Sequence, residues 1–406
     1  MDISHIKELD SVVKNISLRI MSCISEMSDV STKKTHIPHL NDALLWKIFV
    51  KADPRTVGRC RTLNKEWNGR LSKHLVAKQN WTENQRKASC VIIGVEYPQS
   101  NANSQWLTRT DIDCGHQIPL NIPIIINQFG FYSVIGSDHG VLCIRYSQGG
   151  MNTGLLILNP LTKDKNYVSD DARKNCCQSV SLYAFGYMHD TMEYCIVHVY
   201  KRHVSDKHMG WSLYNSYDND WMQSGVFETD IKKLGPKCIV DKEIAYWISW
   251  DGRNFSEPAV VATFSMLEMV FSEARIPAEV KTTYHSLTHF NDGVGFISYE
   301  KAGYSTTIVI WDMKHDGQDQ LRWKRMVRVS GVGIPYNPTL FIGKDIISVM
   351  GCRTIFGGSN DGKKTNVLLS RLKNNFARRE HLMYRSWEEY VWVNTVTLHS
   401  ESLYLV

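Results

Sequence analysis

GSDHGVLCI, residues 136–144, sets a tight polar turn containing an aspartate between two apolar strand ends. The same form returns in YMHDTMEYCIVHVY at 187–200, CIVDKEIAYWI at 238–248, HFNDGVGFI at 289–297 and FIGKDIISVM at 341–350. The turn aspartates are Asp138, Asp190, Asp241, Asp292 and Asp345, spaced by 51 to 53 residues. Apolar runs around a short Gly/Asp turn are the pattern of a β-hairpin, and recurrence at a fixed period marks a repeat architecture. A second hairpin follows in several units: LLILNPLTKDKNY at 155–167, SLYNSYDNDW at 212–221 and IVIWDMKHDGQDQLRW at 308–323. Two hairpins per period make a four-stranded antiparallel sheet, and radial repetition of such sheets is how a propeller limits its exposed edges.

Six periods of about 52 residues account for residues 88–406. In the last, TLHSESLYLV at 397–406 keeps the strand–turn–strand form without the aspartate. CVIIGVEY at 90–97 and WLTRTDI at 106–112 stand before the first full unit and are predicted to complete the last sheet, closing the ring on a strand from SLYLV. The predicted fold class is all-β with a small N-terminal α-helical module, the helices being followed by a six-bladed β-propeller. Its parts are an amphipathic helix at 1–30, a helical module at 31–80 and the propeller at 88–406.

Upstream of the strands, LLWKIFVKADPRTVGRCRTLNKEW at 44–67 reads as short helices. Leu44, Leu45, Ile48 and Phe49 draw an apolar stripe on a helix opening at Asn41 and Asp42. Asp53-Pro54 stops that helix and starts the next, with Asp53 as N-cap and Pro54 in the first turn. Leu63, Trp67 and Leu71 lie four apart on a further face. So small a module has more apolar surface than it can bury alone, which points to a partner. Between Ile6 and Met27, apolar residues at alternating spacings of three and four form a narrow helical seam. That seam suits either self-association or packing on the same chain; SDVSTKKTH at 28–36 is a polar linker.

Composition limits the function classes. The 406 residues are 43% hydrophobic, with 12 Trp, 18 Tyr and 13 Phe, as a folded, strand-rich chain requires. Net charge is +6, from 47 basic and 41 acidic residues scattered along the chain, and the basic pairs Lys363-Lys364 and Arg378-Arg379 are isolated, so no nucleic-acid partner is expected. The ten cysteines show no CxxC pair and read as reduced thiols. With no apolar leader and no 18-residue apolar span, a cytoplasmic or nuclear chain without a membrane partner is expected. The N-x-S/T triplets at Asn15, Asn80 and Asn254 then read as chance matches.

Residues 37–72 resemble an F-box: Ile37-Pro38, Asp42, Leu44-Leu45 and Ile48, then Arg59-Cys60-Arg61 and Leu63-x-Lys65-x-Trp67. GVLC at 140–143, LNPLT at 158–162 and FGY at 185–187 are similar to the opening repeats of plant F-box-associated domains, which are kelch-like β-propellers. This resemblance implies the substrate-recognition subunit of an SCF-type ubiquitin ligase. Its F-box would dock on a Skp-type adaptor, and through it a cullin, through Pro38, Leu40, Leu44, Leu45, Ile48, Phe49, Val57, Cys60 and Leu63. The propeller would hold an unknown target protein for ubiquitination. Candidate rim contacts are Trp250, Arg253, Tyr304, His315 and Arg353, each beside Gly, Asp or Ser in a predicted turn. No catalytic residue, metal or cofactor is implied, the ubiquitin chemistry residing in other subunits. Two other classes are a protein-interaction scaffold outside ubiquitination and a propeller hydrolase or lyase. The second lacks HExxH, GxSxG, P-loop and GxGxxG motifs, and His285 and His289 read as strand or loop histidines rather than metal ligands.

Overall fold

A computed structural model describes residues 42–61, 65–83, 90–96, 105–111, 117–120, 131–148, 152–169, 180–201, 206–229, 234–249, 260–276, 284–290, 293–302, 305–315, 321–332, 339–342, 345–355, 364–372, 379–381 and 390–399. The chain divides into a helical unit within residues 1–86 and a strand unit within residues 87–400. The seam expected at residues 6–27 and the strand expected at 402–406 lie outside the described residues.

In the helical unit, α1 spans Asp42–Lys51, α2 Pro54–Arg61, α3 Lys65–Leu71 and α4 His74–Glu83. The start of α2 follows the sequence reading: the Thr56 amide donates to Asp53 Oδ1 at 3.0 Å, as an N-cap requires. Asp53→Ala should therefore cost about 1 kcal/mol, read as a lowered urea midpoint with unchanged slope. At the other end of α1 the orphan carbonyls of the last turn are met from α4. The Asn80 side-chain amide donates to the carbonyls of Phe49 at 3.0 Å, Val50 at 3.0 Å and Ala52 at 2.7 Å. A second cross-link runs from Trp46 Nε1 to Gln79 Oε1 at 2.8 Å. Asn80, which opens one of the N-x-S/T triplets, is thus committed to the interior. Edge-to-face packing of Phe49 on Trp67, centroids 5.1 Å apart, ties α1 to α3.

The strand unit is all-β and propeller-like. Four sheets have four strands each, every pairing antiparallel. The first contains β4 (Phe131–Asp138), β5 (Val141–Gln148), β6 (Asn152–Leu158) and β7 (Lys165–Ser169); the second, β8 (Val180–Met188), β9 (Glu193–Lys201), β10 (His208–Asn215) and β11 (Asp220–Glu228). The third contains β12 (Leu234–Asp241), β13 (Ile244–Ser249), β14 (Val260–Ser265) and β15 (Val270–Arg275); the fourth, β16 (Tyr284–Phe290), β17 (Gly293–Ala302), β18 (Ser305–His315) and β19 (Leu321–Val332). A further sheet has eight strands. One half holds β20 (Thr339–Ile342), β21 (Asp345–Ile355), β22 (Lys364–Leu372) and β23 (Arg379–His381), and the other β24 (Tyr390–His399), β1 (Cys90–Glu96), β2 (Gln105–Asp111) and β3 (Gln117–Pro119). Among the described residues the two halves are joined in the ladder where Cys352 and Arg353 of β21 pair with Val391 and Tyr390 of β24.

The pairing of β24 with β1 runs from His399 opposite Cys90 to Trp392 opposite Glu96. Residues 90–111 thus complete the last sheet as their pattern predicts, but the division differs from the expected pair of hairpins. Among the described residues, one strand from the C-terminal region, β24, joins three from residues 90–119. The physical reason is that YVWVNTVTLH carries one unbroken ten-residue strand through Thr397, where the period alone would set a strand end. The first strands pack in succession, β4 beside β8, β8 beside β12, β12 beside β16 and β16 beside β20, and β24 lies beside β4.

The aspartate turns all join a first strand to a second. Between β4 and β5, His139 and Gly140 have φ of 44° and 76°, the two-residue turn whose twist suits a hairpin and which favours glycine. Between β12 and β13 the same positions carry Lys242 and Glu243, φ 47° and 66°. Gly186 of the FGY segment is needed for a different reason. A Cβ there would stand 2.6 Å from Val240 Cγ1, so β8 and β12 approach each other over a bare backbone. In LNPLT, Asn159 Oδ1 accepts from the amides of Leu161 at 2.8 Å and Thr162 at 3.3 Å, folding the β6–β7 turn on itself. Among the described residues an extensive apolar cluster lies between the second and third sheets, around Trp211, Trp247 and Phe264. Cys60, Cys143, Cys195 and Cys238 are free thiols, and burial pushes Cys195 up to about 12, which leaves it an inert thiol rather than a nucleophile. Among the described residues no helix is long and apolar enough to cross a membrane.

Candidate functional site

Among the described residues, each unit has a surface where exposed apolar and charged side chains occur together. On the helical unit a groove of about 670 Å³ runs between α1 and α4. Leu44 and Leu75, 44% and 55% exposed, stand at its sides, Ile48 lies in its floor, and Lys47, Lys51 and Lys78 line it as well. Large aliphatic side chains left this exposed in one groove, with lysines also lining it, suit an apolar segment carrying carboxylates at its margin.

The sequence stripe is therefore divided by the structure. Ile48, Phe49, Val57 and Cys60, read from the sequence as docking residues, are buried within the unit and build its own core. α4 packs on α1, with Asn80 bonded to the carbonyls of its last turn, and Val76 and Ala77 of α4 are buried as well. Leu44 stays at the surface. Pro38, Leu40 and Leu63 lie outside the described residues, and Leu45 is placed in α1 by its backbone alone. Leu75 and Lys78, also in the groove, went unpredicted because Leu75-Val76-Ala77 is a consecutive apolar run rather than a stripe of helical period.

On the strand unit the relevant geometry is at the end of the sheets that carries the aspartate turns. In a four-stranded antiparallel meander the first and third turns share one end, so the β10–β11 and β14–β15 turns join the aspartate turns there. Neighbouring turns are stitched together. Asp138 Oδ2 accepts from the Tyr187 amide at 2.8 Å, and Glu243 Oε1 accepts from the His189 amide at 2.6 Å, linking the first, second and third sheets. The His139 ring stacks on Tyr187 with centroids 4.2 Å apart and meets His189 edge-on at 4.9 Å. Burial holds His289 below its usual range against the opposing pull of the Asp241 and Asp138 carboxylates. At this end Tyr217 is 81% exposed, and His189, Asp190, Met192, Lys242 and Leu267 are exposed in their own turns. Such a rim of aromatic, apolar and charged tips on rigid hairpins is suited to holding a protein surface.

Of the predicted rim residues, Trp250, Arg253 and Tyr304 lie outside the described residues. His315 ends β18 opposite Leu321, at the aspartate-turn end. Arg353 is not in a turn: it is a ladder residue of β21, paired with Asn366 on one side and Tyr390 on the other, because the strand runs on to Ile355. Among the described residues no three His, Cys, Asp or Glu side chains converge as a metal site.

No family model matches the chain, and no curated protein matches it. Among solved structures, TolB from Acinetobacter baumannii is similar over 80% of this chain and 68% of its own, at 11% identity and a TM-score of 0.43. A putative 6-phosphogluconolactonase from Bacteroides fragilis is similar over 78% of this chain and 97% of its own, at 11% identity and a TM-score of 0.37. The β-propeller domain of the Trilobed protease from Pyrococcus furiosus, described as having an open velcro topology, is similar over 63% of this chain and 98% of its own, at 8% identity and a TM-score of 0.33.

Proposed function

We propose that the chain is the target-recognition subunit of an SCF-type ubiquitin ligase. Its helical unit is an F-box that docks on a Skp-type adaptor, and through it on a cullin. Its strand unit is a closed six-bladed β-propeller that holds the target. The observation that carries this reading is the groove between α1 and α4, whose lining includes Leu44, part of the F-box-like segment, and Leu75, both of them exposed. A module whose own core is already made from Ile48, Phe49, Val57 and Cys60 still presents two large aliphatic side chains, which an adaptor would bury. In support of six blades stand six groups of four strands, with first strands packed in succession and β24 supplied to β1. The aspartate-turn end, with Tyr217, His189 and Leu267, is then the face for the target, and the role is non-catalytic.

Burying a leucine side chain contributes about 1.5–3 kcal/mol, and each 1.4 kcal/mol is a factor of about ten in affinity. Leu44→Asp combined with Leu75→Asp should thus weaken capture of a purified Skp-type adaptor at least about 100-fold, with an unchanged melting curve because both residues are already exposed. Titration calorimetry measures this. Failure of the unaltered chain to bind the adaptor, or undiminished binding by the folded double variant, would sink the assignment.

A further inference from the structure

We infer that the outer strand of the fourth sheet, β19, is a docking edge on which an acidic, extended segment of a partner protein adds as a further strand. The inference does not depend on the adaptor reading. β19 lies at the end of its sheet, paired with β18 on one side, and among the described residues no strand pairs with the other. Such an edge is a template for one more strand. Over residues 321–325 the template is regular, each residue standing opposite one of residues 311–315 without a break in register. It is also held from within. Trp323 meets the Phe296 ring edge-on, centroids 5.8 Å apart, and packs against the apolar cluster that includes Val294, Trp311 and Met313. The strand is therefore anchored to the core of its own sheet before any partner arrives.

Charge selects the occupant. β19 holds Arg322, Lys324, Arg325 and Arg328 and no carboxylate, and the first three are exposed. Asp312 of β18, the carboxylate opposite Lys324, is only 4% exposed, so the surface of this edge is positive. The outer strands of the second and third sheets differ: β11 carries Asp220 and Glu228 with no cation, and β15 one carboxylate and one cation. Cations keep an edge from pairing with copies of itself, but they attract an edge of opposite sign. Arg322 and Lys324 alternate along the strand and so share a face, where carboxylates at alternate positions of an added strand would meet them. Met326 closes the template. Arg325 stands opposite Trp311 and Val327 opposite Ile310, which leaves Met326 as the extra residue of a bulge, 38% exposed. The bulge ends regular pairing, and the exposed thioether offers an apolar contact beside it. A nucleic acid would meet the cations but leave the backbone edge unpaired, so a protein segment is the better fit. The β18–β19 turn shares the aspartate-turn end of the meander, so the template starts beside the face proposed for the target.

The test uses the full chain and, as probe, a short fluorescent peptide of alternating glutamate and valine, with binding read by fluorescence anisotropy. Saturable binding is expected. Lys324→Glu combined with Arg325→Glu should weaken it at least about tenfold, with an unchanged melting curve because both residues are exposed. N-methylation of the peptide's central amides removes donors from both of its edges while keeping its charge, and should also weaken binding at least about tenfold. A second measurement needs no charge reversal: in the otherwise unaltered chain, Met326→p-benzoylphenylalanine should crosslink the probe on irradiation. Absence of saturable binding, equal binding by the folded double variant, or no crosslink at residue 326 would overturn the inference. Equal binding of the methylated peptide would mean that charge alone attracts it, which overturns the added strand. Tighter binding of oligothymidylate, lost in the double variant, would make the edge a nucleic-acid site. A concentration-dependent dimer in sedimentation velocity, lost in the same variant, would make the occupant a second copy. Either result overturns the inference as well.

Discussion

Truncation after Glu389, which removes β24, should abolish the cooperative unfolding of the strand unit while leaving the proposed adaptor capture by the helical unit within about twofold. The expectation follows from the ladder. β24 pairs with β1 from Cys90 to Glu96 and touches β21 at Cys352 and Arg353, so its loss strips one edge of β1 and separates the halves of the eight-stranded sheet. It also leaves β4 without a neighbour on that side. Backbone groups bared in this way invite pairing with other chains. The truncated protein should elute as aggregates in size exclusion and lose its near-ultraviolet circular dichroism transition. A monomer with an undiminished transition would show that β1 finds its partner elsewhere. A parallel loss of adaptor binding would show that the two units unfold together.

The repeat that fixes this architecture is legible because it is local. Turn residues sit at Asp138, Asp190 and Asp241 with apolar strands on both sides, and each hairpin is specified by its own sequence. Where the aspartate is missing, in the last period, the local signal weakens. The strand Tyr390–His399 then runs past the point that the spacing would assign to a turn, and Arg353 similarly falls inside a longer strand.

At the helical groove the limit is of another kind. Periodicity finds the stripe of Leu44, Ile48 and Phe49 but cannot tell which members face the chain's own core, since that depends on α4, some thirty residues later. The weak amphipathic pattern of α4 conceals both its existence and the contribution of Leu75. On the strand unit the stitched layer of Asp138, Tyr187, His189 and Glu243 joins residues about fifty positions apart. No local pattern announces an amide of one turn reaching a carboxylate of the next, although the constant period places those turns side by side.

Replacement of Trp247 should separate the two ways in which a buried tryptophan acts. Trp247 is fully buried in β13, paired with Cys238 on one side and Ala262 on the other, and its face meets the second sheet in a cluster with Leu182, Val197 and Trp211. Trp247→Ala should leave a cavity at that junction and cost about 3–5 kcal/mol, a large part of the 5–15 kcal/mol that holds a typical domain together. Trp247→Phe should behave differently. The indole Nε1 is buried and finds no hydrogen-bond partner among the described residues, and an unmet buried donor costs about 1–3 kcal/mol. Phenylalanine loses volume but removes that donor, so its net cost should fall to about 1–2 kcal/mol by the same accounting. Urea unfolding followed by far-ultraviolet circular dichroism reads both values from the midpoint and slope. Equal losses for the two variants would mean that the indole donor is satisfied in solution. A loss below about 1 kcal/mol for the alanine variant would mean that the second and third sheets do not depend on this contact.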